Sequence, residues 1–220
     1  MFNSWSTVIN YYLLKNELDK AMSQLKKFKA MTEKTNDITG TGLLFYNLGT
    51  FYFVQKRYGT ALSYYIKAID YTKVFKNLDY IMIGNCYRLL GNNENAATWL
   101  KRSIEMPSSD VYKIHPLIGL LECYTKMGQT INAIRTESEI KKILRDYPNS
   151  AKYSNYHESM YFFYLYILKD REKALEELLK TEDSDNTKYN LALYYYYIGE
   201  YEKANVQLKY DVIRYTKWLK

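Results

Sequence analysis

Residues 45–68 read FYNLGTFYFVQKRYGTALSYYIKA, and residues 80–103 read YIMIGNCYRLLGNNENAATWLKRS. In the first stretch Phe45, Leu48, Gly49 and Tyr52 recur at helical spacing, and Tyr58, Ala61, Tyr65 and Ala68 mark a second helix beyond a polar turn. The second stretch repeats the arrangement with Tyr80, Ile83, Gly84 and Tyr87, then Gly91, Ala96, Leu100 and Ser103, and Pro107 follows as a terminator. Gly49 and Gly84 stand 35 positions apart, and so do Ala61 and Ala96. Two different landmarks at one offset define an internal repeat of about 34 residues built as a helix pair. Small residues at the crossing let two helices approach closely, and the large ones fill the holes between neighbouring pairs.

Working outward, a third copy runs through Leu117, Leu120, Leu121, Tyr124, Gly128 and Ala133, displaced by 37 residues. Upstream, Trp5, Val8, Ile9, Tyr12, Ala21, Leu25 and Phe28 form an earlier copy, with a linker over Thr35 to Gly42 that lengthens the spacing. Toward the C-terminus Tyr161, Phe162, Leu165, Ala174 and Leu178 make a fifth copy. Leu191, Ala192, Tyr195, Gly199, Tyr201, Ala204 and Leu208 make a sixth. The reading is an all-α right-handed superhelix of about six antiparallel helix pairs, forming one solenoid domain over 1–220. Its repeats fall near 2–35, 42–75, 77–110, 114–147, 155–183 and 185–220. First helices are expected near 3–15, 42–55, 77–90, 114–127, 155–168 and 186–198, with 212–219 extending or capping the last helix.

Composition agrees with long helices and short turns: 47% of the 220 residues are hydrophobic, with three prolines and nine glycines. The longest apolar run, Tyr161 to Leu168, is too short to span a bilayer, and no basic segment precedes an apolar stretch at the N-terminus. A soluble, cytoplasmic protein without membrane association is expected. Cys86 and Cys123 imply no disulfide framework and read as reduced core thiols. The formal charge of +7 raises the question of nucleic acid. Lys26, Lys27 and Lys29, however, are interspersed with Glu17, Asp19 and Glu33, which fits a solvated helix face. Direct nucleic-acid binding by this chain is therefore not expected.

Catalytic signatures are missing from the sequence. His115 and His157 stand at no metal-ligand spacing with each other or with either cysteine. Residues 182–185 open like a calcium loop but lack the turn glycine and the glutamate at position twelve, and they fit a turn that caps the next helix. There is no phosphate-cradling glycine loop, dinucleotide fingerprint or nucleophile elbow. The run Tyr194 to Tyr197 points around a helix axis, so at least half of it is expected in the core. The chain is expected to be no enzyme and to need no cofactor or metal.

The order of large residue, Leu-Gly, Tyr, then Ala and an aromatic resembles the tetratricopeptide repeat (TPR). That resemblance implies a concave groove lined by the first helices, with ligand contacts at set repeat positions. Asn10, Thr50, Asn85 and Glu122 match the ninth position, and Asn47 and Asn190 match the sixth. Arg88, Lys126, Tyr196 and Tyr197 match the twelfth and thirteenth. An asparagine amide can donate and accept at once, which suits the backbone of an extended peptide. Of the carboxylate clamp that some TPR proteins use on chaperone tails, only Asn10 and Asn47 match, while Ser6, Leu78 and Met82 stand where cations are needed. The tyrosine-rich repeats, the Tyr46-Asn47-Leu48-Gly49 helix and the groove asparagines further resemble the repeat half of bacterial peptide-pheromone receptors, the RRNPP group. That likeness implies quorum sensing and transcription regulation through a short peptide held by Asn47, Asn85 and Asn190. From their own groove positions, Arg88 or Lys126 is expected to meet an acidic group of that peptide. Many members of that group place a helix-turn-helix domain before the repeats, whereas this chain opens directly on Trp5 and its repeat. The alternative is a protein-interaction scaffold without a small ligand, whose partner is another protein or a second copy of the chain.

Overall fold

The computed structural model describes residues 2–71, 76–149, 155–181 and 185–208. The helices are α1 (Phe2–Leu14), α2 (Leu18–Thr35), α3 (Ile38–Val54), α4 (Tyr58–Tyr71), α5 (Lys76–Leu89), α6 (Asn93–Glu105), α7 (Asp110–Lys126), α8 (Thr130–Asp146), α9 (Tyr156–Phe162), α10 (Arg171–Leu179) and α11 (Asp185–Tyr197). A π-helical stretch, Phe163–Leu168, follows α9, and 201–208 are helical. No strand occurs among the described residues. The proposed end cap at 212–219 and most of the 182–185 turn lie outside them. The chain forms two compact units, Met1–Cys123 and Tyr124–Lys220.

One turn recurs within every helix pair. The backbone N–H of Glu17, Arg57, Asn92, Gln129, Asp170 and Glu200 donates to the carbonyl of Tyr12, Tyr52, Tyr87, Tyr124, Tyr164 and Tyr195 respectively, at 2.9–3.0 Å. The carbonyls of the same six donors accept from the N–H of Ala21, Ala61, Ala96, Ala133, Ala174 and Ala204, opening the second helix. The residue before each donor is left-handed: Asn16, Lys56, Gly91, Gly128, Lys169 and Gly199 have φ between 56° and 84°. This is the Schellman arrangement, in which a left-handed residue ends a helix and the next N–H satisfies one of its last carbonyls. All six alanines are buried where the new helix meets the old one. Five copies span five residues from tyrosine to donor, whereas the fifth spans six, from Tyr164 to Asp170. The π stretch takes up the added residue, and for that reason the fifth copy keeps its turn although its apolar landmarks drift.

In the first unit, Phe53 meets Tyr58, Tyr52 stacks on Tyr64 and Phe45 tilts onto Tyr71, so α3 and α4 run antiparallel. Gly49 lies beneath the Tyr65 ring, where a Cβ would stand 2.7 Å from ring carbons. Gly84 repeats the crossing: its Cβ would be 2.7 Å from Leu100 Cγ and 3.3 Å from the Ala96 carbonyl. Tyr65 is fully buried, and its hydroxyl donates to Thr50 Oγ1 at 3.2 Å. Both cysteines are buried and unbridged, and burial pushes the Cys86 thiol up to about 12. The linker expected over 35–42 is instead helical on both sides. α2 reaches Thr35, and Asp37 starts α3 by accepting from the Gly40 N–H at 3.0 Å, with Gly40 and Gly42 buried in the first turns. The longer spacing of the first repeat is thus used as extra helix.

In the second unit, Lys141 on α8 pairs with Glu137 and donates to the Tyr164 hydroxyl at 3.3 Å. His157 Nδ1 lies 2.7 Å from Glu177 Oε2, tying α9 to α10. In the tyrosine run of α11, Tyr194 is buried, Tyr195 half-buried, and Tyr196 and Tyr197 exposed.

Substituting Gly84→Leu is expected to destabilise the protein by about 1–3 kcal/mol, because the fully buried Leu100 and the Ala96 carbonyl leave no space. Gly59→Ala, in α4 with nothing within 4 Å, should instead stabilise by about 0.5–1 kcal/mol. Thermal melts that move the same way in both variants would contradict the packing roles assigned to these glycines. Alkali provides a second check. Burial, with Asp79 adding to it, pushes the Tyr46 hydroxyl from 10.0 up to about 12. The unfolded chain therefore releases this proton first, and stability present below pH 10 is lost as pH climbs toward 12. Urea titrations over that range should show a shallower decline in Tyr46→Phe.

Candidate functional site

The polar residues of the first helices fall into two groups, those held inside the protein and those left open. Asn47 is fully buried: its Nδ2 donates to Ser6 Oγ on α1 at 2.8 Å and to the Leu43 carbonyl at 2.6 Å, while Oδ1 has no hydrogen-bond partner among the described residues. The expectation of Asn47 as a groove-facing peptide contact is therefore corrected, because its side chain is buried. α1 and α3 pack side by side, and an amide between them bonds the neighbouring helix instead of facing solvent. Thr50 is half-buried, donating to the Tyr46 carbonyl and accepting from Tyr65. Asn190, in the second unit, is buried on α11, where Nδ2 donates to Glu158 Oε1 at 3.3 Å. Its own carbonyl accepts from the Tyr161 hydroxyl at 3.4 Å.

Asn10 and Asn85 differ from these. Asn10 is exposed on α1 one turn beyond Ser6, and Asn85 is half-buried on α5. Neither amide has a hydrogen-bond partner among the described residues. Asn85 Oδ1 lies 3.8 Å from where a Cβ on Gly119 would stand, so the glycine leaves room for the amide beside α7. One turn further on, Arg88 Nη1 donates to Glu122 Oε2, joining α5 to α7 through a mostly buried ion pair. Both contacts, 85 with 119 and 88 with 122, carry the same offset of 34, one turn short of the 37-residue repeat displacement. Lys126 is exposed at the end of α7, within the second unit.

A further recess was not anticipated from sequence. A cavity of about 620 Å³ opens in the first unit, lined by α2, α3 and α4. Phe45, Leu48, Tyr52, Tyr64 and Tyr71 supply most of its apolar wall, with Lys26, Lys29 and Lys67 at hand. The sequence carries the stripe but not the opening: Thr41, Phe45, Leu48 and Tyr52 recur at spacings of four, three and four on α3, apart from Asn47 and Thr50.

These features define a tetratricopeptide-type helical repeat, and the sequence model of the tetratricopeptide repeat matches residues 80–110, which span α5 and α6. Among individual proteins, 48 residues are 42% identical to the Regulator of microtubule dynamics protein 3 of Xenopus laevis, covering 22% of this chain. The chain spans about a tenth of that relative. Among solved structures, it is similar to the apo form of RapI (TM-score 0.74, 16% identity, 94% of this chain and 80% of that one). It is also similar to NprR, solved in complex with its cognate peptide NprX (TM-score 0.70, 19% identity, 94% of this chain and 65% of that one). The fold is all-α and TPR-like.

The Arg88 and Glu122 pair lends itself to a double-mutant cycle. Glu122→Met alone leaves a mostly buried guanidinium whose Nε already has no hydrogen-bond partner among the described residues, and it should cost about 3 kcal/mol. Arg88→Met/Glu122→Met should recover most of that loss in urea unfolding. Additive losses, with the double variant as destabilised as the two single variants together, would show that the pair contributes nothing.

Proposed function

We propose that this chain is a peptide- or protein-binding TPR module and acts as a cytoplasmic regulatory receptor for a short peptide, with no catalysis of its own. The observation that carries this reading is the presence of two asparagine amides, Asn10 and Asn85, that no other described side chain satisfies. They sit on α1 and α5, first helices from which Ser6 and Arg88 bond the next first helix. An amide held on a rigid helix, with donor and acceptor both unmet, is suited to the N–H and C=O of an extended backbone. Asn47 and Arg88 then act as supports, Asn47 joining α1 to α3 and Arg88 joining α5 to α7. The fold shared with NprR, which was solved holding a peptide, favours a peptide over a small metabolite. Quorum sensing and transcription regulation follow from the same likeness and belong to this proposal.

The test is a display selection of short peptides on the full chain, followed by calorimetry of the winners. Asn85→Ala and Asn10→Ala should each weaken binding by about 1 kcal/mol, or roughly fivefold, with melting temperature unchanged. Asn47→Ala should lower the melting temperature first. Failure to select any peptide, or equal affinity in parent and both open-amide variants, would overturn the reading.

A further inference from the structure

The cavity lined by α2, α3 and α4 is separate from the open amides, and its chemistry is different. We infer that it docks an acidic amphipathic helix of a partner protein, seated on the Phe45, Tyr52, Tyr64 and Tyr71 wall with its carboxylates toward Lys26 and Lys67.

Three observations select that occupant. The first is the nature of the wall. Phe45 tilts onto both Tyr64 and Tyr71, and Tyr52 stacks on Tyr64 at 5.4 Å, so the rings brace one another and present a preformed apolar surface. At the rim, Ile38 is 67% exposed and Tyr71 38% exposed. Large rigid aromatics in a concave pocket supply most of the binding energy in interfaces of this kind.

The second is hydrogen bonding. The recess is built from three helices whose backbone groups bond internally, and its two threonines donate back to their own helices, Thr32 to the Lys29 carbonyl and Thr41 to the Asp37 carbonyl. An extended peptide would bring backbone N–H and C=O groups into the cleft and find few partners there, at a desolvation penalty for each. A helix satisfies its own backbone and offers only side chains, at the i, i+3, i+4 and i+7 spacing that such grooves receive.

The third is charge. Three lysines line the recess against one carboxylate, Glu33. Glu33 lies 3.7 Å from Lys29, with both side chains about two-thirds exposed, which makes a weak pair. Lys26 and Lys67 have no carboxylate partner among the described residues, and the Lys67 ammonium sits 5.6 Å from the Tyr64 ring centroid, above the wall. A carboxylate at the flank of an incoming helix would meet both cations, and a basic helix would be repelled. A flat membrane surface fits less well, because the apolar groups are recessed and a bilayer surface does not enter a cleft.

The experiment uses the full chain and a designed helix of about 18 residues, long enough to fold alone, with Leu and Phe on one face and Glu along its flanks. Its controls are the same composition scrambled, a version with Lys in place of Glu, and vesicles of phosphatidylglycerol. Fluorescence anisotropy should show saturable binding of the acidic helix that weakens with salt. Lys26→Glu/Lys67→Glu and Ile38→Glu, all at exposed positions, should each reduce affinity by about tenfold or more with the circular dichroism spectrum unchanged. Asn10→Ala and Asn85→Ala should leave this affinity within about twofold, so the two sites can fail separately. Equal binding of the scrambled or basic peptide, insensitivity to the charge reversals, preference for vesicles, or no binding at all would each overturn the inference.

Discussion

The hydrogen bond from a turn N–H to a tyrosine carbonyl underlies the rest of the structure. A helix end leaves its last carbonyls unsatisfied, and here the same bond closes one of them in all six pairs, with a left-handed residue before the donor and a buried alanine opening the next helix. Because the bond is made by backbone, it constrains the angle at which the second helix leaves without dictating the side chains around it. Three of the left-handed positions are glycine, and Asn16, Lys56 and Lys169 bear the steric penalty of an ordinary side chain there. The antiparallel pairing of α3 with α4, the glycine crossings at Gly49 and Gly84, and the stacking of the aromatic wall all follow once that angle is set.

The polar residues show why a fold can be read from a single sequence more readily than a site. Periodicity reports which positions repeat, and Asn10, Asn47, Asn85 and Asn190 all stand at repeat positions where ligands are commonly met. It does not report how close the adjacent first helix comes. The approach of α1 to α3 places Ser6 against Asn47 and buries it, whereas Gly119 leaves room beside Asn85. The same residue type on successive first helices therefore ends as a structural link in one copy and an open amide in another. Arg88 and Glu122 were likewise legible as polar groups on successive first helices, but only the packing of α5 against α7 turns them into a pair.

The helix pairs themselves were largely legible, since Gly84 with Leu100 and Gly49 with Tyr65 are the close crossings that the small and large landmarks imply. The departures have local causes. Asp37 caps α3 early and converts a supposed linker into helix. In the fifth copy Leu165 was taken as the landmark, while the residue that bonds the turn is Tyr164, displaced by the added residue. The aromatic cavity was missed for a different reason. A stripe of Phe45, Leu48 and Tyr52 reads as core by its spacing, and nothing in the sequence shows that α2 and α4 leave part of it open.

The π stretch Phe163–Leu168 has a bearing on how such a chain can change over generations. A residue added to an α-helix rotates everything after it by about 100°, which would swing the following apolar stripe out of its groove. Here the surplus is absorbed as a local widening just upstream of the turn, and Asp170 still meets Tyr164 and Ala174 as its counterparts do elsewhere. The widened coil acts as an expansion joint, letting one repeat gain length while its neighbours keep their alignment.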